Sequence, residues 1–358
     1  MAHGFSKRAS AVAIACLMGM TMLPANMVSA KGLSCPKGVM ANAVGNSVTV
    51  SWEPVKRAKK YYVYEKSEQN PNYQLVSVTK GRRIKLNGRT AGVDYSYQVS
   101  AAKGDAQAVS SLSVPSKEVT TTIPMNGARS TITNFLRNGV RPIGGVMYVY
   151  GGGWGVMETR TIGISPAWRK FASRFGKRYN RHRYQFHSHK GLDCTGFVGF
   201  TTYNTLENHS GGRSYVYKSF IIGRRYQAMH LGRVTRRNRI QVHKAGDVMF
   251  GGSGHAWISM GQCPDGSTVV LHSQKYGVRL CGTPSRSGKS NSQAAKLAKT
   301  YMKRYYGSWY RKYHAVTVPS SYNRRYDQFT WSSSVLSDPD GLQKMSADQV
   351  LKVVFGEN

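Results

Sequence analysis

Acidic residues are scarce in this chain. Sixteen Asp and Glu stand against 51 Lys and Arg in 358 residues, which leaves a formal charge of +35. Such an excess draws a protein to polyanions. Cysteine is scarce too, with five in all, one of them (Cys16) within the first 30 residues. This excludes a small secreted scaffold held by many closely spaced disulfides and leaves thiols available for reactivity. After Leu23 no apolar run is long enough to span a bilayer, so no transmembrane anchor is expected in the processed chain. Internal repeats are missing, as is a glycine loop of the phosphate-cradling kind between a strand and a helix.

What is present begins with Lys7 and Arg8, an apolar run from Ala11 to Leu23, and the small residues Val28-Ser29-Ala30. A basic, then apolar, then small-residue order reads as a signal peptide over residues 1–30, cut after Ala30. An exported chain meets anionic cell-wall polymers and membrane surfaces sooner than nucleic acid, so nucleic acid is not the expected partner.

Residues 31–124 alternate in short strands between turn residues. The clearest are Ser47 to Trp52, Tyr61 to Tyr64, Tyr73 to Val76, Arg83 to Leu86, Tyr95 to Ala101 and Val119 to Thr122. This spacing predicts an all-β antiparallel sandwich whose aromatic residues form its core. With Trp52 in an early strand and Tyr95-x-Tyr97-x-Val99-x-Ala101 in a late one, the segment resembles a fibronectin type III module of the immunoglobulin-like class. Either Tyr95 or Tyr97 fits the corner tyrosine of that class.

Ile123 to Ala128 reads as a linker, and residues 125–285 as a second domain interrupted by a basic surface insertion at about 156–190. Within residues 126–285 there are 23 Lys and Arg against 5 Asp and Glu. The insertion's share, from Arg169 to Lys190, is expected to hold the protein on anionic polymers, leaving the sandwich a spacer. Residues 286–358 form an extension to which the sequence assigns no role, although Ser346-x-x-Gln349 announces a closing helix.

Three pieces of the second domain carry chemistry together. Tyr148-Val-Tyr150 runs into the turn Gly151-Gly-Gly153. Asp193-Cys194-Thr-Gly196 precedes the apolar Phe197, Val198 and Phe200, which places Cys194 at a helix start, where unpaired N–H groups favour a thiolate. Gly254-His255 opens a strand that turns at Asp265-Gly266 and returns to His272, so both histidines can lie at one end of a hairpin. A nucleophile, a base and a group to orient the base meet the needs of covalent acyl transfer. Cys194 is the expected nucleophile, His255 the base and His272 its orienting partner. A metal at His182, His187 and His189 is disfavoured by the cations around them, and no cofactor is expected. Cys263 and Cys281 end the outer strands of a three-strand meander, beyond ordinary disulfide reach.

These motifs, in this order, resemble the NlpC/P60 cell-wall cysteine peptidases over roughly Ile132 to Cys281. The shared features are Tyr-x-aromatic-Gly-Gly, Asp-Cys-Thr-Gly-Phe, Gly-Asp-Val-x-Phe, Gly-His-x-x-Ile, and a further His ahead of Gly277-Val278. The resemblance implies an α+β papain-like domain with a Cys194-His255-His272 triad, Tyr148 hydrogen-bonding in the site and Asp193 shaping a substrate subsite. It also implies a secreted, wall-associated peptidoglycan hydrolase that cuts stem peptides between D-γ-glutamyl and the diamino acid. Two departures are Thr195 in place of serine and the long interval between Gly153 and Asp193. A CHAP-like amidase and a catalytically inactive wall-binding protein are the alternatives.

Overall fold

The first unit has seven strands: β1 (Met40–Val44), β2 (Ser47–Ser51), β3 (Lys60–Ser67), β4 (Gln74–Thr79), β5 (Arg83–Leu86), β6 (Asp94–Ala102) and β7 (Val119–Thr122). They form two antiparallel sheets, β1-β2-β5 against β4-β3-β6-β7, which is an immunoglobulin-like sandwich. Trp52, Tyr61, Val63, Tyr97 and Val99 fill the space between the sheets, so the aromatics are core, as expected. The corner tyrosine is Tyr95, whose hydroxyl accepts from the Thr90 N–H at 3.2 Å, whereas Tyr97 donates to Glu65 at 2.6 Å. This computed structural model describes residues 33–106, 111–176, 178–251 and 254–357. The expected signal peptide at 1–30 lies outside them.

The second unit starts with the short β8 (Ser130–Thr131) and α1 (Ile132–Val140), which Thr131 caps by accepting from the Asn134 N–H. There follow α2 (Pro166–Ala172), α3 (Cys194–Leu206), α4 (Ile222–Ala228), β9 (Gly232–Thr235), β10 (Val248–Gly251), β11 (His255–Gln262), β12 (Thr268–Ser273) and β13 (Val278–Gly282). The chain closes with α5 (Gln293–Tyr305), α6 (Gly307–Lys312), β14 (Asp327–Trp331), β15 (Leu336–Ser337) and α7 (Ala347–Phe355). Ser346 and Gln349 form the expected capping box of α7.

Among the described residues the central sheet runs β13-β12-β11-β10-β14-β9. Its two faces follow from strand alternation. Val248, Phe250, Ile258, Leu271 and Leu280 face the helices in the main core, alongside Phe135, Phe197 and Phe200. Met249, Trp257, Val270 and Cys281 face the other way and are covered by Val318, Tyr322 and Tyr326. Residues 286–357 therefore belong to the same unit as the sheet. They insert β14 between β10 and β9 and supply the layer over its second face. Asp247, fully buried before β10, fixes β14 by accepting from Thr330 at 2.8 Å and from Gln328.

The sandwich docks on α1 and α3 and is not a detached spacer. Asn134 of α1 takes hydrogen bonds from the Thr121 hydroxyl and the Thr122 N–H and returns one to the Thr122 carbonyl, all within 3.0 Å. Met40 of β1 lies in the core of the second unit, and Glu53 forms an ion pair with Arg169. The segment at about 156–190 departs in part from the surface insertion expected. Ile162, Ile164, Trp168, Phe171 and Tyr179 are buried in the main core, while residues 173–176 and most of 180–190 are largely exposed. Cys263 and Cys281 are both free thiols. Among the described residues no helix is long and apolar enough to cross a membrane.

Candidate functional site

Asp193 caps α3 from an extended backbone conformation, and its carboxylate is saturated with donors. Oδ1 accepts from the Gly196 N–H at 2.6 Å and the Thr195 hydroxyl at 3.0 Å, and Oδ2 accepts from Trp154 Nε1 at 2.8 Å. Burial pushes its pKa up to about 6 against these hydrogen bonds. Cys194 thereby becomes the first residue of the helix, with its own N–H and that of Thr195 free of intrahelical partners.

The glycine turn explains why the two motifs stand together. A Cβ at Gly153 would sit 2.9 Å from the Gly196 Cα, and one at Gly196 would collide with the Gly152 carbonyl oxygen. The Asp193 N–H donates to that same carbonyl at 3.0 Å. Only glycines on both sides permit the turn to lie against the first turn of α3.

Cys194 is 7% exposed, so it is more buried than a helix-start thiol open to solvent. Its Sγ lies 4.0 Å from the Gly254 carbonyl oxygen, and the Ala256 N–H also supports it, so the thiol rests against the backbone on both sides of His255. Burial, then the Asp193 charge, push its pKa up to about 12. The N–H groups of the helix start oppose this shift without cancelling it, which corrects the expectation that helix position alone favours the thiolate.

The histidines meet as the hairpin predicts. β11 and β12 pair antiparallel with Ile258 opposite Leu271, and His255 Nε2 lies 3.1 Å from His272 Nδ1. His272 is fully buried and His255 half-buried. Burial lowers His255 to about 4 and pulls His272 well below the usual imidazole range, so both rings are neutral near pH 7. Among the described residues no hydrogen bond joins the Cys194 thiol to the His255 ring. Taken one by one, these shifts favour a neutral thiol and a neutral imidazole pair at rest.

Tyr322, in the segment covering the second face of the sheet, has its hydroxyl 3.3 Å from His272 Nδ1. Its ring packs 5.6 Å from His255 and 5.7 Å from Trp257. Sequence reasoning missed this residue. The available signal was density: seven tyrosines fall between positions 301 and 326 in a tail given no role. Burial first raises the Tyr322 pKa, so the phenol keeps its proton. His255 Nε2 and the Tyr322 hydroxyl face the same ring nitrogen, and donation from either to its single lone pair favours the His272 tautomer with Nδ1 unprotonated. His272 Nε2 is buried without a protein partner, so its hydrogen bonds within the protein are those at Nδ1. With Nδ1 accepting, His255 carries its proton on Nε2 and keeps Nδ1 as a free base.

Tyr148 is half-buried on the approach to the glycine turn. Burial, then the Cys194 and Asp193 charges, raise its pKa, which places the phenol within electrostatic reach of both. Its carbonyl accepts from Tyr179 at 2.6 Å. Of the three histidines weighed as metal ligands, His189 pairs with Glu158 at 2.9 Å.

No protein-family model matches the sequence, and no curated protein matches it. Solved structures share part of the chain. A Fn3-like protein from Clostridium thermocellum is 21% identical, covering 26% of this chain and 96% of its own at a TM-score of 0.23. The fn3 domain of human collagen alpha-1(XX) is 22% identical, covering 28% and 95% at a TM-score of 0.23. The twitchin kinase region from C. elegans is 16% identical, and this chain covers 17% of it at a TM-score of 0.23. At these scores the likeness bears on neither the site nor the activity.

Proposed function

We propose that this protein is an exported cysteine peptidase of the NlpC/P60 type, built on a papain-like domain and preceded by a fibronectin type III-like module. Its substrate is the stem peptide of peptidoglycan, cut between D-γ-glutamyl and the diamino acid. The observation that carries the reading is the 3.1 Å contact of His255 Nε2 with His272 Nδ1, in a hairpin whose first residues flank the Cys194 thiol.

Because thiol and imidazole are neutral at rest, the Cys194 proton passes to His255 Nδ1 as Sγ attacks the peptide carbonyl. The N–H groups of Cys194 and Thr195 face the oxygen that gains charge. His255 then gives its proton to the departing amine. Water, deprotonated by the same ring, frees the acyl group and restores the thiol. His272 stabilises the imidazolium that forms transiently and fixes its orientation.

The test is mass spectrometry of purified muropeptides after incubation with the protein and with Cys194→Ala. A new free amine on the diamino acid, made by the wild type and not by the variant, is the expected result. A peptide released from the lactyl group would assign an amidase, and no product would assign a wall-binding protein.

A further inference from the structure

Two cavities lie away from Cys194 with arginines on their rims. One of about 460 Å³ is lined by Arg237, Arg286 and Arg324, together with Ser285, Ser287 and Ser320, and by no acidic residue. Its neighbour of about 580 Å³ shares Arg237 and adds Arg224, Arg236, Phe220 and Gly251. The one acid there, Asp327, is already engaged by Arg224 at 3.7 Å and by the Arg237 N–H at 3.1 Å. Arg236, Arg237, Arg286 and Arg324 are exposed and form no ion pair among the described residues.

We infer that these two cavities form one groove that binds a linear phosphodiester polymer of the polyol phosphate kind. Four unpaired guanidinium groups along a continuous surface match a repeating anion better than a single one. An isolated exposed contact contributes little, whereas contacts on one chain add and release counterions together. Serine hydroxyls between the arginines donate to phosphate oxygens in the same way. Among the described residues Phe220 is the one exposed aromatic on the rim, which is poor provision for stacking successive bases and disfavours nucleic acid.

The groove has a direction. Gly251 at one end of it is the ladder partner of His255, so a polymer seated there passes one strand away from the base. Anchoring of this sort holds the site against the wall instead of merely keeping the protein near it. It also shifts the polymer-binding role from the 169–190 segment, where Arg169 is already paired with Glu53.

The inference rests on the wall as the place of action but not on the chemistry of Cys194. Binding of Cys194→Ala to purified poly(glycerol phosphate) is therefore measured by titration calorimetry at several salt concentrations. Replacing Arg237, Arg286 and Arg324 by glutamine is expected to weaken binding at least about tenfold and to reduce the salt slope by about three. The same change at Arg174, Arg178 and Arg183, an equal loss of charge on the insertion, is expected to do much less. Equal losses from both triple variants would overturn the groove, as would tighter binding of a DNA duplex than of the polyol phosphate. Muropeptide hydrolysis without polymer binding removes the groove alone. Polymer binding without hydrolysis removes the catalytic reading alone.

Discussion

Replacing Tyr322 by phenylalanine deletes one hydroxyl and keeps the ring that packs on His255 and Trp257. The lost interaction is an O–H to N contact at 3.3 Å, long for its kind and between neutral groups. Such a bond is worth about 0.5–1.5 kcal/mol net, which corresponds to a rate loss of about two- to tenfold. Because the hydroxyl acts through His272 on the tautomer of His255, the loss belongs in kcat and not in KM. Release of the Nδ1 lone pair also eases protonation of His272, so the acid limb of the pH profile should move upward. The assay is steady-state hydrolysis of a soluble stem peptide across pH, with Tyr322→Phe beside His272→Gln. Tyr322→Ala would be a poor probe, since removing a buried ring costs about 3–5 kcal/mol of stability and confounds the result. Unchanged kcat and an unmoved profile in Tyr322→Phe, with a clear loss in His272→Gln, would refute the tautomer argument.

Cys194→Ala and His255→Ala are each expected to abolish measurable turnover. The double variant should be little worse than either, whereas multiplying losses would separate the two residues into independent roles. Gly196→Ala drives a Cβ into the Gly152 carbonyl and pushes the helix start away from the glycine turn. A misplacement of about 1 Å costs on the order of a hundredfold, so kcat/KM should collapse while circular dichroism stays native. Since His255 is lowered to about 4, kcat/KM should hold from neutral pH down to that region and fall as the ring takes a proton. With Cys194 raised to about 12, the ultraviolet difference between wild type and Cys194→Ala should show no thiolate at pH 7. A thiolate signal there would overturn the neutral resting pair.

The strands of the sandwich were legible because period-two alternation and turn residues are local signals. β1 escaped because Met-Ala-Asn-Ala-Val lacks alternation, and Met40 turns toward the neighbouring core. The meeting of His255 with His272 was also legible, since an Asp-Gly turn brings the outer ends of both strands together, although a register shift between Ser259 and Gln262 sets their offset. The burial of Cys194 was not, because desolvation depends on everything packed around a group. Nor was Tyr322, which lies 50 residues beyond its partner and enters through a layer that no local pattern announces. The place of β14 was hidden for the same reason. A strand inserted between two earlier ones is chosen by long-range pairing, and Asp327 to Trp331 reads alone as a short mixed segment.

Burial decides how the site can work. A thiolate–imidazolium pair formed in advance would need both charges to be stable in a pocket that disfavours each of them separately. Among the described residues, the charge that acts on the histidines is Arg279, which lowers His272 further and offsets nothing. In the proposed mechanism charge separation therefore belongs to the moment of attack, when the substrate carbonyl gains negative charge and the helix-start N–H groups meet it. In that setting the value of His272 and Tyr322 is orientation. They hold one nitrogen of His255 occupied, so that the other receives the proton without a search among tautomers. On the proposed mechanism the tail that carries Tyr322 belongs to the catalytic unit: it closes the second face of the sheet and biases which nitrogen of the base is free.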